Sequence, residues 1–162
     1  MKRLGLLAIL VLVPLVLTAG CSKPSRDSIA ALKPPKHDHK PPHGGTPVVL
    51  GEEACHVELV LDAATGTLQA YVFDGELENF IRSSQRSFEI TAIVAGQPQV
   101  LVLNAVANPA TGETVGDSSL FEAQADWLKT TRAFDATLKS LTIRGTTFSD
   151  VRFNFPKGND QD

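Results

Sequence analysis

Two short runs of residues decide the fold: His56-Val57-Glu58-Leu59-Val60-Leu61 and Thr67-Leu68-Gln69-Ala70-Tyr71-Val72-Phe73. Both are rich in β-branched, aromatic and other apolar side chains, a composition typical of strands. Between them lies Ala63-Ala64-Thr65-Gly66, a turn segment that contains glycine. Two such runs around a short turn predict a β-hairpin.

The rest of the chain continues this pattern of short apolar runs separated by turns. Leu120–Leu128 places Phe121, Ala123, Ala125 and Trp127 at alternate positions, which is the period of a half-buried strand. Further strands are predicted within 88–94, 100–106, 138–143 and 148–155, with turns at 96–98 and 108–112 and a helical turn within 130–137. After residue 20 no run has a period near 3.6, so no α-helix is expected.

These runs predict one all-β domain at residues 47–156, followed by a flexible tail at 157–162. Short antiparallel strands at this spacing form a β-sandwich, either immunoglobulin-like or closed into a small barrel. The carboxylates of Glu52, Glu53 and Glu58 are interpreted as exposed loop acids. Most aromatic side chains are expected in the core: Trp127, Tyr71 and the phenylalanines at 73, 88, 121, 148, 153 and 155.

The amino-terminal residues have the organisation of an export signal. Met1-Lys2-Arg3 is a short positive start, and an apolar run follows at residues 4–16. This run is shorter than the roughly 20 residues of a membrane-spanning helix. A charged start, a short apolar run and small residues before a cleavage point predict a secretory signal peptide at residues 1–20.

The end of this segment adds a lipid anchor to the prediction. Leu17-Thr18-Ala19-Gly20-Cys21 resembles a bacterial lipobox, with Thr18 at the position where leucine is commonest. The resemblance implies a diacylglyceryl group on Cys21, so that membrane lipid is the first expected partner. Ser22, rather than an aspartate, follows the cysteine and favours the outer membrane, with the protein facing the periplasm.

Residues 21–46 are predicted to be a disordered linker. Lys33-Pro34-Pro35-Lys36 and Lys40-Pro41-Pro42 favour extended segments over helix or central strand. Residues 22–46 have five basic and two acidic side chains, whereas residues 47–162 have eight basic and sixteen acidic ones. A basic tether on an acidic domain suits an anionic membrane surface. It argues against nucleic acid, which needs a basic folded face.

All four histidines lie between residues 37 and 56. A short His-rich tract is typical of metal binding, and imidazole is a good ligand for Cu, Zn and Ni. Neighbouring strand residues point to opposite faces, so Cys55 and His56 are not expected to share one ion without a bulge. The candidate metal ligands are His37, Asp38, His39, His43, Cys55 and His56.

The alternative interpretation of the same residues is structural. His37, His39 and His43 are then solvated linker residues, and Cys55 is a small core residue. With Cys21 lipidated, Cys55 has no partner for an intramolecular disulfide. The fold must therefore depend on its apolar core.

Motifs of catalysis and nucleotide binding are missing from the sequence. It contains no GxSxG, HExxH, GxGxxG or GxxxxGK[ST]. His56 is the one histidine within or at the edge of the predicted domain. A non-catalytic protein is therefore expected.

One further resemblance bears on function. Pro42-His43-Gly44-Gly45, followed by Glu58–Asp62 and Leu68–Asp74, resembles a β-domain of small uncharacterised bacterial lipoproteins and part of the periplasmic adaptor subunits of heavy-metal efflux systems. The likeness covers about residues 42–75 and implies an envelope protein that binds metal or a protein partner. Of the candidate ligands, only His43 lies in the residues that carry this resemblance. Two hypotheses follow: binding or delivery of a transition metal, or a structural or protein-interaction module of the envelope without a ligand.

The lipid anchor gives the first testable prediction. Replacing Cys21 by Ser removes the thiol that forms the thioether, so lipidation and membrane attachment should both be lost. Incorporation of labelled palmitate and fractionation of membranes measure the two effects. Label that still enters the Cys21→Ser protein would contradict the lipobox.

Overall fold

A computed structural model describes residues 40–160, and these residues form an all-β domain. They contain eight strands and one short 3₁₀ helix, with no α-helix among them. The prediction of an all-β antiparallel domain is confirmed. The elements are β1 (Thr46–Leu50), β2 (Cys55–Asp62), β3 (Thr67–Asp74), β4 (Ser87–Val94), β5 (Gln97–Ala105), β6 (Leu120–Gln124), the 3₁₀ helix (Asp126–Lys129), β7 (Phe134–Ile143) and β8 (Thr146–Phe155).

All eight strands belong to one sheet, in the order β1-β2-β3-β6-β5-β4-β7-β8. β2 and β3 form the predicted hairpin, and β4–β5 and β7–β8 are hairpins as well. Ala95-Gly96 and Arg144-Gly145 connect the last two pairs, and all four residues have the positive φ that the tightest hairpin turns require. Because β1 and β8, at the two ends of the order, also touch, the sheet is nearly closed into a small barrel.

Alternate side chains of each strand point into the barrel and form its core. On β4 these are Phe88, Ile90 and Ala92, all at most 4% exposed. Leu128 of the 3₁₀ helix joins the same core and is fully buried. Burial of a side chain of this size contributes about 1.5–3 kcal/mol. Burial of the alternating apolar side chains is therefore the main source of the domain's stability.

Side-chain hydrogen bonds join β1 to the residues that follow β8. The Nδ2 group of Asn159 donates to the carbonyl of Val49 at 3.0 Å, and its Oδ1 accepts from the Val49 N–H at 2.7 Å. The Thr46 hydroxyl donates to the carbonyl of Pro156 at 3.1 Å. Asn159 therefore takes the place of a strand residue and pairs groups of an edge strand that could otherwise recruit another chain.

The folded domain extends beyond the predicted boundaries of 47 and 156. Residues 40–45, expected in the linker, bond to β2, and Asn159, expected in the tail, bonds to β1. The signal peptide, Cys21, the linker up to residue 39 and residues 161–162 lie outside the described residues.

Strand β1 was not predicted, because Pro47 lowers the strand propensity of its segment. Proline lacks the N–H that a central strand must donate, but an edge strand tolerates it. Gln97 and Pro98, expected in a turn, open β5 instead, because the turn consists of Ala95 and Gly96.

The alternating run at Leu120–Leu128 is a strand only as far as Gln124. The helical turn expected within 130–137 is wrong: the 3₁₀ helix lies before this range, at Asp126–Lys129, and β7 already begins at Phe134. Trp127 packs edge-to-face on Phe134, with ring centroids 5.4 Å apart. The apolar residues after Gln124 are therefore explained by packing and not by strand alternation.

The junction between β1 and β8 gives a stability prediction. Asn159→Ala removes both partners of Val49 and should lower the free energy of unfolding by about 1–3 kcal/mol, measured by urea denaturation. Asn104→Ala is the control, because that exposed side chain makes a single long bond of 3.3 Å to the Val102 carbonyl. Equal losses in the two variants would show that Asn159 has no special role.

Candidate functional site

The outer surface of β2 and β3 carries side chains that face away from the barrel and are nevertheless buried. Glu58 lies opposite Tyr71 across the two strands, and His56 lies opposite Phe73. Glu58, His56 and Phe73 are each at most 2% exposed. Residues 40–45, called the strap below, cover part of this surface.

The carboxylate of Glu58 is the centre of the strap contact. Its Oε1 accepts from the backbone N–H groups of His43 and Gly45, both at 2.8 Å. Its Oε2 lies 2.7 Å from Nδ1 of His43. A buried carboxylate is tolerated only when it is well hydrogen-bonded, and these donors fulfil that condition. The prediction that Glu58 is an exposed loop acid is wrong, since Glu58 lies within β2 and is fully buried.

The same contact fixes the imidazole of His43. A carboxylate oxygen only accepts, so Nδ1 carries the proton and the lone pair of the neutral ring lies on Nε2. The ring stacks on Tyr71, with centroids 4.0 Å apart and planes inclined by 14°. The side chain remains 35% exposed. His43 is thus held in one orientation and one tautomer while part of its ring faces solvent.

The two glycines after His43 allow the strap to lie this close to β2. Gly44 has a φ of +67°, which an L side chain rarely adopts. A Cβ on Gly45 would lie 2.6 Å from the carbonyl oxygen of Leu59 and 2.9 Å from Cγ of Glu58. Gly44 is therefore favoured by its backbone conformation, and Gly45 by the lack of space for a side chain.

The rings of His43, Tyr71, Phe73 and Phe80 lie together and are called the aromatic face below. Phe80 stacks on Phe73 with centroids 4.6 Å apart, and its ring lies 6.1 Å from that of His43 and 6.2 Å from that of Tyr71. Phe73 is buried beneath the group, whereas Phe80 is 55% exposed. Phe73 is buried, as expected of a core residue, but it packs against this group, and Tyr71, also expected in the core, is only partly buried.

The Tyr71 hydroxyl belongs to a short polar chain on the same surface. It donates to Oε1 of Gln69 at 3.2 Å, and Nε2 of Gln69 donates to Glu122 at 2.6 Å. Burial raises the pKa of Tyr71, and the carboxylates of Glu122 and Glu58 raise it further. The phenol is therefore neutral at physiological pH.

The loop after β3 holds Phe80 in place. The carboxylate of Asp74 accepts from the N–H groups of Glu78 and Asn79 and from the side-chain amide of Asn79. Burial acts to raise the pKa of Asp74, but these hydrogen bonds outweigh it and keep the pKa below its usual value. Glu76 and Glu78 are exposed in this loop, so the aromatic face has an acidic neighbour.

The structure separates the other predicted ligands. The Cys55 side chain points into the core, and burial raises the pKa of its thiol more than the nearby Arg144 lowers it. His56 points to the outer surface, where its Nδ1 lies 3.2 Å from the carbonyl of Asp74. Cys55 and His56 therefore face opposite sides of β2, as the alternation of a strand requires.

A complete metal site is not found in the part of the chain that the structure describes. Within residues 40–160 no three His, Cys, Asp or Glu side chains are placed to hold one ion. His37, Asp38 and His39 lie outside these residues. Metal binding through the histidine segment accordingly stays a prediction.

Comparison with models of known protein families, with curated proteins and with solved structures gives no match to this chain. Within residues 40–160 there is also no helix of the length and hydrophobicity needed to cross a membrane. The functional proposals below therefore depend on the chain's own residues.

The fit of the strap predicts a difference between the two glycines. Gly45→Ala should displace the strap, because the backbone carbonyl of Leu59 cannot easily move, and overpacking of this kind costs about 1–3 kcal/mol. The His43 amide should then exchange with solvent faster. Gly44→Ala is the matched control, since a Cβ there meets nothing within 4 Å and adds only backbone strain. A His43 amide equally protected in both variants would contradict this assignment.

Proposed function

We propose that this protein is a non-catalytic lipoprotein of the cell envelope, anchored through Cys21 at the outer membrane and facing the periplasm. The export signal and the lipobox-like Leu17–Cys21 support the anchor. The basic charge of residues 22–46 supports a tether close to an anionic surface.

We further propose that the histidine segment binds a transition-metal ion, with His43 as the ligand that the fold fixes. The observation that carries this proposal is the 2.7 Å contact between Nδ1 of His43 and the buried carboxylate of Glu58. Metal-binding histidines commonly donate their second nitrogen to a carboxylate, which orients the ring and raises its basicity. Nε2 of His43 is then the metal-binding nitrogen.

The remaining ligands in this proposal are His37, Asp38 and His39. The sequence places them within six residues of His43, so a short loop of chain can bring them to one ion. Such a site must be ordered when the metal binds, which lowers its affinity. Among divalent ions the order of stability favours Cu(II) over Ni(II) and Zn(II) for imidazole donors. Cys55 and His56 are omitted from this ligand set because both side chains are buried.

A second candidate function is a protein-interaction module of the envelope. Ile93, Val100 and Val102 are each at least 47% exposed, and all three lie on the β4–β5 hairpin. An apolar patch of this kind is a common feature of protein-binding surfaces. In this interpretation the histidines have no ligand.

A metal titration distinguishes the two functions. The mature chain with Cys21→Ser and without a purification tag is titrated with Cu(II) and with Zn(II) at neutral pH. We expect Cu(II) to bind more tightly than to free histidine, and binding to weaken as the pH falls through about 6.5, where imidazoles become protonated. The His37/His39/His43→Ala variant should lose this binding. Unchanged binding in that variant would remove the histidine site and leave the interaction module.

Glu58→Gln tests the role of the carboxylate. The amide keeps an oxygen for the two backbone donors but cannot act as a charged acceptor for Nδ1 of His43. We expect metal affinity to fall about tenfold or more, the usual effect of losing such a partner. Glu122→Gln is the matched control, because Glu122 bonds to Gln69 on the same surface. Equal affinities in both variants would show that Glu58 serves the fold alone.

A further inference from the structure

The side of β5 that faces away from β4 is only partly covered by another strand. β6 pairs with β5 at Asn104 and Ala105, then ends at Gln124 and continues into the 3₁₀ helix. In the part of the chain that the structure describes, no strand pairs with this side of β5 at residues 97–103. This stretch of β5 is called the open edge.

The hydrogen bonds at the end of β5 show which backbone groups reach the open edge. The N–H of Ala105 donates to the carbonyl of Arg86, on the side of β4, at 2.9 Å. The N–H of the next residue, Val106, donates to the carbonyl of Leu120 in β6, also at 2.9 Å. Successive residues of an antiparallel strand direct their backbone groups to opposite sides. Because the register with β4 is continuous over Gln97–Asn104, the even-numbered residues of β5 point to the open edge.

Within β5, Val100 and Val102 are the residues that can pair fully at this edge. Pro98 has no N–H, and Asn104 is already paired with Glu122. Proline is tolerated at this position because an unpaired edge does not need its N–H. The carbonyl of Val102 accepts a long bond of 3.3 Å from the side-chain amide of Asn104, but a carbonyl oxygen can accept a second one. The N–H and carbonyl groups of the two valines are therefore open to another strand.

The side chains at the open edge are apolar and exposed. Val100 is 58% exposed and Val102 is 47% exposed, and β5 contains no charged residue. On β4, Thr91 lies beside Val100 and Glu89 lies beside Val102. Exposed edges of this kind, without charges of their own, readily accept a further strand. A strand that is itself apolar and uncharged is the complementary partner.

A second copy of β5 satisfies the open edge in one register. When two β5 strands lie antiparallel about a twofold axis at Leu101, Val100 of each copy lies opposite Val102 of the other. Each pair then exchanges both N–H···O=C bonds, which uses all the open backbone groups of the two valines. Across the joined sheets, Glu89 of one copy lies in the same row as Thr91 of the other. The glutamates are therefore not opposite each other, which avoids repulsion between like charges.

We propose that this chain forms a dimer by pairing the open edges of β5, with Val100 of each copy opposite Val102 of the other. The proposal rests on the interaction-module function, for which it names the partner, and it involves no metal. The metal titration decides between the two functions, whereas this dimer is tested with chelator present, so the two proposals can fail separately. The interface is small, so the dissociation constant should be on the order of 100 μM.

Hydrogen exchange of single amides measures this contact directly, in the mature chain with Cys21→Ser. The N–H groups of Val100 and Val102 are open in the monomer and paired in the dimer. Their exchange should therefore slow about fourfold between about 10 μM and about 1 mM protein, given a dissociation constant of about 100 μM. The N–H of Leu101 points to β4, so its exchange should not depend on concentration.

Two double variants test the register. Val100→Lys/Val102→Lys places like charges opposite each other and should abolish the concentration dependence. Val100→Lys/Val102→Glu places unlike charges opposite each other in the same register and should retain it. Ile93→Lys is the matched control and should also retain it, because Ile93 is 47% exposed, like Val102, but lies on β4 away from the open edge. Unchanged exchange of the Leu101 amide shows that each variant is folded.

Three results would overturn the proposal. Exchange at Val100 and Val102 that does not depend on concentration would show that the open edge does not pair with a second copy. Equal loss in the two double variants would show that the chains associate without this register. Loss in Ile93→Lys would show that the outer face of β4 and β5, and not the edge, makes the contact.

Discussion

A single buried carboxylate, that of Glu58, determines how the amino-terminal side of the barrel is built. A charged group without solvent must find hydrogen-bond donors, and leaving it unpaired would cost several kcal/mol. Its donors come from His43 and Gly45, so the strap lies on β2 in the folded domain. This requirement places the imidazole on Tyr71, excludes a side chain at residue 45 and completes the aromatic face. The geometry of the candidate site therefore follows from the hydrogen bonds that one buried carboxylate requires.

Where the barrel closes, between β1 and the residues after β8, a side chain again satisfies polar groups of another segment. An open sheet leaves backbone groups at its edges, and these groups readily pair with other chains. Here the edge residue Val49 is paired by the amide of Asn159, which comes from beyond the last strand. Polar side chains at both ends of the domain thus complete a fold whose stability comes from the alternating apolar residues of its strands.

The sequence predicts those parts of the fold that depend on local pattern. The β2–β3 hairpin could be predicted because apolar side chains alternate on either side of a glycine turn. Strand β1 could not be predicted, because the sequence around Pro47 fits an edge strand and a linker equally well. The predicted strand extended beyond Gln124 to Leu128, which is wrong. The apolar residues there are needed for the packing of Trp127 on Phe134 and not for a strand. In each case the missing information was a contact between residues far apart in the chain.

The candidate site shows the same limit. His43 was named as a candidate ligand from its place in the histidine segment, but its partner Glu58 was interpreted as an exposed loop acid, because the local sequence does not indicate that the strap covers it. The signal that could have revealed it is the glycine pair after His43, since adjacent glycines indicate close approach of the backbone to another element. Phe80 gave no comparable signal, because it lies outside the alternating apolar runs and its ring contacts come from the strap and β3.

The docked strap also defines a length. If Cys21 is fixed in a membrane, residues 22–39 form the linker between the lipid and the strap. Fully extended, these residues span about 60 Å. Releasing the strap would add residues 40–45 and extend that radius by about 20 Å. On that condition, the hydrogen bonds of Glu58 set the distance from the membrane that the barrel can reach.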